Sequence, residues 1–330
     1  MNTAPTRRFA RANAVGAPRE VIAIATEPLE PPAPGHLVIE VEAAAINHSE
    51  SLAMAGGYYA EKLEFPAPLG YEGAGVVVRA GNGTTVDVGT AVAFVAPGTG
   101  ACATHVTIPE SFAVARPEGM SPATAARVPS AGITARLLTR VRDDWDGASA
   151  AVWGAAGPVG RMLSGFLAES GATVCGIASG DRVCDVTAVG AAHAVDRGAG
   201  DVAAAVREAT GGRGVDVVFD CVGAPTYDSS LAMLATRGLY VSFGQVSGSL
   251  PPVDLMALME RGLKVTKFGG GSAYMDGFSE FGELLSRAVT AAANRPALVS
   301  RPGGEFALDE VVAAFEALGK GAPGKIVVRP

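Results

Sequence analysis

The feature that most constrains the fold is a short apolar run that ends in regularly spaced glycines. Residues 148–153 are small or apolar, and they are followed by Gly154, Gly157 and Gly160. Beyond this turn, apolar side chains between residues 159 and 167 recur at helical spacing, and residues 172–178 have the composition of a buried strand. A strand, a glycine turn, a helix and a second strand in this order predict a dinucleotide-binding unit.

The glycine loop itself predicts how a nucleotide is held. Glycine lets a pyrophosphate approach the backbone, and the free N–H groups and positive end of the following helix balance its charge. Proline suits the first turn of that helix because no N–H donor is needed there. A glycine turn alone often has no ligand, so the prediction depends on the flanking elements. The expected contacts are Gly154, Ala155, Ala156, Gly157, Pro158, Val159 and Gly160.

The composition is that of a globular chain with enough apolar residues for two cores. Of the 330 residues, 48% are hydrophobic, and the net charge is −7. This charge, without a basic stripe, argues against a nucleic-acid partner. The four cysteines show no metal-ligand spacing and lie in or beside apolar runs. We therefore expect reduced thiols in the core of a cytoplasmic protein.

No membrane segment is expected. Residues 88–109 lack acidic and basic side chains other than a histidine, but Pro97, Gly98 and Gly100 interrupt them. This irregular backbone favours strands joined by a turn over a lipid-exposed span. Residues 1–19 contain four arginines and no acid, faintly like a transit peptide, and a ragged start before a first strand is the preferred interpretation.

Two patterns divide the chain. Residues 8–108 form short β-rich runs separated by turns, which predicts a compact β-barrel. From residue 123 onward strands and helices alternate, which predicts an α/β fold with a doubly wound parallel sheet. The sheet strands are expected at Ala150–Trp153, Thr173–Ile177, Ala192–Val195, Val215–Phe219, Leu239–Phe243 and Leu263–Phe268. The tail is expected to form helices at Phe281–Ala293 and Leu308–Leu318 and a strand at Lys325–Val328.

Six motifs occur in a family-specific order: Ala43–Asn47, Leu69–Gly75, Gly154–Gly160, Gly212–Asp220, Gly238–Gly244 and Pro323–Val328. With them, nearly the whole chain resembles the zinc-free medium-chain dehydrogenase/reductases of the quinone oxidoreductase type, which include the zeta-crystallins. The resemblance implies a GroES-like catalytic domain at residues 1–122 and a Rossmann domain that binds NADPH at 123–268. It also implies a return segment at 269–330 that completes the catalytic domain, and a homodimer.

The resemblance also bears on metal binding. Zinc-dependent alcohol dehydrogenases share this scaffold and hold their catalytic metal through a Cys, a His and a later Cys. The matching positions carry Asn47, Tyr71 and Ser130, so no site of thiolate and imidazole ligands is expected. Without a Lewis acid to stabilise an alkoxide, a conjugated acceptor is favoured over a simple alcohol. Its reduction gives a delocalised oxyanion that hydrogen bonds can stabilise.

The end of the second nucleotide-domain strand favours NADPH over NADH. An acid at this place usually binds the adenosine ribose, whereas this chain has Ala178. Ser179 and Arg182 are placed to bind a 2′-phosphate, and Arg197 falls where many relatives have a Tyr near that phosphate. The alternative is that both arginines are solvated surface charges, and Asp181 weakens the argument from charge.

Two residues are candidate catalytic groups. Tyr58 follows Asn47 by eleven residues, as in quinone and enoyl-thioester reductases, and its phenol can donate a hydrogen bond or a proton to the acceptor. It can equally be an aromatic wall of the pocket. The Asn47 amide can orient the nicotinamide ribose or the substrate oxygen, or the residue can simply form a turn.

Further residues are expected near the nicotinamide and the substrate. Thr134 matches a family position at the nicotinamide end, although its hydroxyl can also bond to its own helix backbone. Phe243, Gly244 and Gln245 follow the fifth strand, where ligands bind in open α/β sheets. Gly269 and Gly270 follow the sixth strand and either flex around the substrate or form a plain hinge.

The expected pocket mouth departs from the family. Relatives often read Asn-Pro-x-Asp with a Tyr two places on, whereas this chain has His48, Glu50 and Leu52 in these places. His48 and Glu50 are therefore either substrate contacts or solvent-facing substitutions. This departure puts a simple quinone substrate in doubt.

Together these features predict a zinc-independent, NADPH-dependent reductase that transfers hydride to an α,β-unsaturated carbonyl or a quinone. Two related activities stay open, those of a 2-enoyl-thioester reductase and of a specialised biosynthetic enone reductase. A non-catalytic NADPH-binding protein of the crystallin type is an alternative of another class. The expected partner is a small molecule with a conjugated carbonyl, and neither nucleic acid nor a membrane.

Overall fold

The computed structural model describes residues 5–269, 275 and 279–330, without the side chains of Tyr58, Tyr59, Lys62 and Ser279. The chain forms two compact units. The first comprises Met1–Ile133 and Gly277–Pro330, and the second comprises Thr134–Asp276.

Strands and helices are numbered along the chain. The strands are β1 (Thr6–Ala12), β2 (Ile22–Pro28), β3 (His36–Ala45), β4 (Ala67–Pro68), β5 (Glu72–Ala80), β6 (Ala91–Val95), β7 (His105–Pro109), β8 (Ala113–Ala115), β9 (Ser149–Trp153), β10 (Thr173–Ala178), β11 (His193–Asp196), β12 (Val215–Asp220), β13 (Leu234–Ser242), β14 (Lys264–Lys267), β15 (Pro302–Ala307) and β16 (Lys325–Arg329). The α-helices are α1 (Pro18–Val21), α2 (His48–Met54), α3 (Pro122–Ala126), α4 (Pro129–Leu138), α5 (Pro158–Glu169), α6 (Val183–Thr187), α7 (Val202–Ala209), α8 (Tyr227–Met233), α9 (Leu255–Met259), α10 (Ser279–Asn294) and α11 (Val311–Gly319). Short 3₁₀ helices include Gly57–Lys62, Gly180–Arg182, Ala224–Thr226 and Leu308–Glu310.

The second unit contains one six-stranded parallel sheet in the order β11-β10-β9-β12-β13-β14. The chain runs outward from β9 in both directions, so the carboxyl ends of β9 and β12 flank the crevice where such sheets bind nucleotides. The prediction of a doubly wound sheet is confirmed. Strand β13 begins five residues before its expected start because Leu234 already pairs with Val215, ahead of a register shift. Periodicity alone does not reveal that shift.

The first unit is built around β3, which pairs with β5, β7 and β16. Strand β16 comes from the carboxyl-terminal segment, and its Val327 and Val328 lie opposite Ala45 and Ala44. Its seven-stranded sheet therefore contains strands from both ends of the chain, and a separate three-stranded sheet has the order β2-β1-β4.

The unit boundaries differ from the expected ones at residues 122/123 and 268/269. The first unit continues to Ile133 because α3 packs against β3, β5 and β6, and it resumes at Gly277. The buried Ala125 and Ala126 make this contact part of the first core. Alternation of strands and helices marked the start of the second pattern, but it did not show on which unit α3 packs.

The charge-free stretch and the cysteines give further outcomes. Residues 88–109 contain β6 and β7, and no helix in the described part of the chain is long and apolar enough to cross a bilayer. Cys102 and Cys175 are buried, but the expectation of a core thiol was wrong for Cys184. Its thiol is exposed on α6 and donates to the carbonyl oxygen of Asp181 over 3.0 Å.

Two glycines of the Leu69–Gly75 motif let neighbouring strands approach closely. A Cβ on Gly73 would lie 2.7 Å from the ring of Phe94, which is fully buried. A Cβ on Gly75 would lie 2.1 Å from the carbonyl oxygen of Glu40 on β3. The motif thus builds the first core, because no other side chain fits between β3 and β5 at Gly75.

We expect Gly75→Ala to lower the melting temperature because the methyl group forces β3 and β5 apart, at a cost of about 1–3 kcal/mol. Gly319→Ala is the matched control. No atom lies within 4 Å of its added methyl group, and alanine favours the helix end. Thermal unfolding of both variants by circular dichroism measures the difference. Equal melting temperatures for Gly75→Ala and the unmodified chain would show that this contact is not tight.

Candidate functional site

The glycine loop joins β9 to α5 in the second unit, and each glycine has its own structural reason. Gly154 has φ of +67°, and a Cβ there would lie 2.8 Å from the sulfur of Cys221. The N–H of Gly157 donates to the carbonyl oxygen of Gly154 over 2.8 Å, which closes the turn. A Cβ on Gly160 would lie 2.3 Å from the same oxygen. The loop is therefore held tight against the first turn of α5, whose N–H groups have no partners inside the helix.

A cavity of about 680 Å³ lies within the second unit, beyond the ends of β9, β10, β11 and β12. Ser179 and Arg197, two of the expected cofactor contacts, line it. The exposed Arg197 is anchored by its backbone N–H, which donates to the carbonyl oxygen of Ala178 over 2.9 Å. The other lining residues are Trp153, Gly180, Asp196, Gly198, Ala199, Val222, Pro225, Thr226 and Ser247.

The third expected phosphate contact, Arg182, is half-buried at the N-terminus of α6. Arg182 is not among the described residues that line the cavity. Its role therefore stays a prediction.

Sequence reasoning missed an acid in this cavity. Asp196 ends β11, in register with Ala178 at the end of β10. Its Oδ1 accepts from the N–H of Gly198 at 2.9 Å and lies 3.5 Å from the N–H of Gly180. The carboxylate thus braces the backbone on both sides of the cavity. The available signal was positional, since the carboxyl ends of adjacent parallel strands meet at one edge of the sheet.

A second missed acid, Asp220, ends β12 and is fully buried. Its carboxylate accepts from the N–H groups of Val222 and Gly223, at 2.7 and 3.2 Å. Three hydroxyls also donate to it, at 2.7 to 3.2 Å, from Thr226, Ser230 and Tyr240. These bonds fix residues 222–226, three of which line the cavity. The sequence indicated this acid only as the end of a family motif.

The segment after β13 is also tied to β12. Phe243 donates its N–H to the carbonyl oxygen of Asp220 over 2.8 Å, and a Cβ on Gly244 would lie 2.6 Å from the carbonyl oxygen of Cys221. The ammonium of Lys267 donates to the carbonyl oxygen of Gly244 over 3.2 Å, and burial lowers its pKa. Glycine at position 244 thus lets the segment after β13 pack closely against the segment after β12.

The remaining predicted contacts of this unit lie on α4 and after β13 and β14. Thr134 is half-buried in α4, and Gln245 is half-buried after β13. Gly269 is exposed after β14, and Gly270 lies outside the described residues.

In the first unit, Asn47 belongs to a polar cluster with Glu72, Ser130 and Lys325, named here the Asn47 cluster. The ammonium of Lys325 donates to Asn47 Oδ1 and lies 2.6 Å from Glu72 Oε1. Asn47 Nδ2 donates to the same Glu72 oxygen over 3.2 Å, and Glu72 Oε2 accepts from the N–H of Ser130 at 2.7 Å. Glu72 and Lys325 are buried, whereas Asn47 is half-buried.

The sheet explains how distant residues meet in this cluster. Glu72 begins β5 opposite Ala45, the last residue of β3. Lys325 begins β16, whose Ile326 accepts at its carbonyl oxygen from the N–H of Ile46 over 3.3 Å. Asn47 follows directly, so strand pairing on both sides of β3 places the carboxylate and the ammonium beside the amide. The sequence indicated Asn47 but missed Glu72 and Lys325, which stood only as members of motifs.

Glu50 was expected as a substrate contact or a solvent-facing residue; it is not solvent-facing, and its contact with substrate stays a prediction. It is half-buried, and its two oxygens accept from the N–H groups of Asn47 and Gly70, at 2.9 and 2.6 Å. It therefore caps α2, and the Asn47 side chain stays available for its own contacts. Burial raises the pKa of Glu50 to about 7, although the two backbone donors and Lys325 oppose the shift.

The neighbouring predicted residues are placed as follows. His48 is exposed at the start of α2, and Leu52 is half-buried in the same helix. The side chain of Tyr58 lies outside the described part of the structure, and its backbone belongs to the 3₁₀ helix Gly57–Lys62.

The donor set of the Asn47 cluster does not fit zinc. Its carboxylate is already paired with an ammonium, and Ser130 contributes a backbone N–H, which cannot be a ligand. No group of three His, Cys, Asp or Glu residues in the described ranges is arranged to hold a metal ion. No step of the chemistry is therefore assigned to a metal.

Comparisons with known proteins match both units. Residues 33–120 match the alcohol dehydrogenase GroES-like domain, and residues 158–290 match the zinc-binding dehydrogenase family. A probable quinone oxidoreductase of Schizosaccharomyces pombe is 31% identical, over 82% of this chain and 81% of its own. A 2-haloacrylate reductase of a Burkholderia species is 29% identical, over 91% and 92%. The structure of Escherichia coli quinone oxidoreductase complexed with NADPH is 26% identical, with a TM-score of 0.86 over 98% of this chain and all of that one.

Replacement of Glu50 tests its environment through the pH dependence of stability. A carboxyl group whose pKa is raised in the folded chain stabilises the fold below its ordinary pKa, and this contribution is lost as the pH rises through 7. Glu50→Gln lacks this loss. The melting temperature of the variant minus that of the unmodified chain should therefore increase from pH 5 to pH 8. The change corresponds to at most about 3 kcal/mol.

The control is Glu118→Gln, which removes a carboxylate from an exposed turn. Thermal scans at four pH values compare both variants with the unmodified chain. A melting-temperature difference for Glu50→Gln that is the same at every pH would contradict the raised pKa.

Proposed function

Since the chain belongs to the quinone oxidoreductase type of the medium-chain dehydrogenase/reductase superfamily, we propose that it is an NADPH-dependent reductase of conjugated carbonyl compounds. Its acceptors are quinones or α,β-unsaturated carbonyls, and it works without zinc. The observation that carries this proposal is the Asn47 cluster, where the amide at one of the expected metal-ligand positions is bonded to a carboxylate and an ammonium.

NADPH fits the second unit and supplies a hydride when bound. The loop Gly154–Gly160 would hold its pyrophosphate through backbone N–H groups, because the missing Cβ atoms leave the backbone accessible. Ser179 and Arg197 line the adjoining cavity and would hold the 2′-phosphate. The Escherichia coli relative was solved as an NADPH complex, which supports the same coenzyme here.

The first unit would activate the acceptor. Reduction adds a hydride to the electrophilic carbon, and the carbonyl oxygen then gains negative charge. The Asn47 amide can donate a hydrogen bond to that oxygen. A proton from Tyr58 or from water then completes the addition of two hydrogens. No Lewis acid is needed, because the charge is delocalised and the amide donates to it.

There are three alternatives to this proposal. A 2-enoyl-thioester reductase or a specialised enone reductase would use the same chemistry on a different acceptor. A relative named 2-haloacrylate reductase supports adding conjugated acids to the candidate acceptors. A crystallin-like protein would bind NADPH without turnover.

We also propose that the protein is a cytoplasmic homodimer, on the basis of the family resemblance. We propose no nucleic-acid partner, because the net charge is −7.

The deciding experiment follows NADPH absorbance with a panel of acceptors: free quinones, enones, 2-haloacrylates and crotonyl thioesters. We expect turnover with at least one class, and chelators should leave its rate unchanged. In Tyr58→Phe, turnover should fall while NADPH affinity stays nearly constant, because only the hydroxyl is removed. Binding of NADPH without oxidation by any acceptor would instead support the crystallin-like alternative.

Coenzyme discrimination tests the second unit. Arg197→Ala should raise the dissociation constant of NADPH roughly tenfold or more and leave that of NADH nearly unchanged, because only NADPH has a phosphate for the guanidinium. Arg182→Ala shows whether that arginine shares the role, and Arg287→Ala, at an exposed position of α10, is the charge control. Fluorescence titration measures all four proteins. An equal loss for both coenzymes in Arg197→Ala would reject the phosphate contact.

A further inference from the structure

We propose that Lys325 and Glu72 are positioning residues that lock the Asn47 amide in one orientation, with an N–H group available to the acceptor oxygen. This inference rests on the proposed function, in which Asn47 contacts the acceptor. It adds that the site offers the acceptor a hydrogen-bond donor and not a carbonyl oxygen.

The orientation follows from the chemistry of the two partners. An ammonium only donates hydrogen bonds, so the oxygen of the amide has to face Lys325. An ionised carboxylate only accepts, so the nitrogen of the amide has to face Glu72. Rotation of the amide by 180° would put two donors together on one side and two acceptors together on the other. Both contacts therefore favour the same orientation.

Among the described residues, the bonds of the cluster engage only one of the two amide hydrogens of Asn47. The amide nitrogen of Asn47 carries two hydrogens, of which one is directed at Glu72 Oε1. The second carboxylate oxygen is engaged by the N–H of Ser130. Because Asn47 is half-buried while Lys325 and Glu72 are buried, the amide is the member through which the pair can act on a ligand.

Stability alone is a weak reason for this arrangement. A buried ion pair often contributes no more than a well-packed apolar pair, because both charges lose their hydration. What the pair does supply is a defined geometry at a neutral group. The opposite charges of Lys325 and Glu72 balance one another, and the amide donates without a net charge beside it.

The main test is a double-mutant cycle on kcat with an acceptor that the unmodified chain reduces. Asn47→Ala should lower kcat roughly 10²-fold, as expected for loss of one oxyanion donor. Lys325→Met should lower it at least about tenfold, and the double variant should be no slower than Asn47→Ala. The NADPH dissociation constant should stay within about twofold in all three, since Lys325 acts on the amide. Independent, multiplying losses in kcat would overturn the proposal.

Two further variants separate positioning from folding. Lys325→Met leaves Glu72 buried and unpaired, which lowers stability. Adding Glu72→Gln removes this charge, so the melting temperature should recover while kcat stays low. Recovery of kcat together with the melting temperature would show a purely structural role. Lys320→Met, at an exposed position, is the matched control and should change neither quantity.

A readout without turnover distinguishes this inference from the proposed function. The chain has five asparagines, so protein labelled with [¹⁵N]asparagine gives five pairs of side-chain amide signals. The pair that is missing in Asn47→Ala belongs to Asn47. We expect the two amide protons of Asn47 to be well separated in chemical shift and to exchange slowly with water, because one of them bonds to Glu72 in a single orientation. In Lys325→Met the separation should narrow and the exchange with water should become faster. An unchanged pair in Lys325→Met would overturn the inference. If the unmodified chain reduces no acceptor, the proposed function fails, and the NMR result still decides the orientation.

Discussion

The pairing of β3 with strands on both of its sides is the constraint on which the candidate acceptor site depends. Strand β5 places Glu72 opposite Ala45, and β16 places Lys325 next to the chain segment that contains Asn47. Neither charge is stable in a buried position alone, since each needs the other to offset its lost hydration. The sheet therefore fixes the positions of the charge pair and of the amide together. Close packing at Gly75 holds β3 and β5 against each other.

The second unit uses carboxylates for a similar purpose. Asp220 gathers two N–H groups and three hydroxyls, and so holds the backbone after β12 in one conformation. Asp196 does the same for the backbone after β11, close to Arg197. The cavity that we propose to receive a phosphate is thus shaped partly by anions. These anions are stabilised there by backbone N–H groups and, at Asp220, also by hydroxyls.

Local patterns in the sequence were sufficient for much of the fold. The glycine loop, the six strands around it and the helix α5 were predicted from periodicity and turn chemistry, because neighbours in the chain determine these features. The Asn47 cluster was not predicted, because Lys325 and Asn47 are 278 positions apart and no local pattern links them. The contact between Glu50 and Gly70 was not predicted for a related reason. Gly70 lies 20 positions away, in the link between β4 and β5, so no local pattern indicates that its N–H donates to Glu50.

The first unit consists of two segments that are separated by the whole of the second. The second unit is continuous, so its contacts close shorter loops and can form early, whereas β16 can pair with β3 only after a long stretch of chain has been traversed. We therefore expect the second unit to be able to fold first, and the amide of Asn47 to meet Lys325 only when β16 has paired with β3. A partly folded chain would then recognise its coenzyme before it is competent for chemistry.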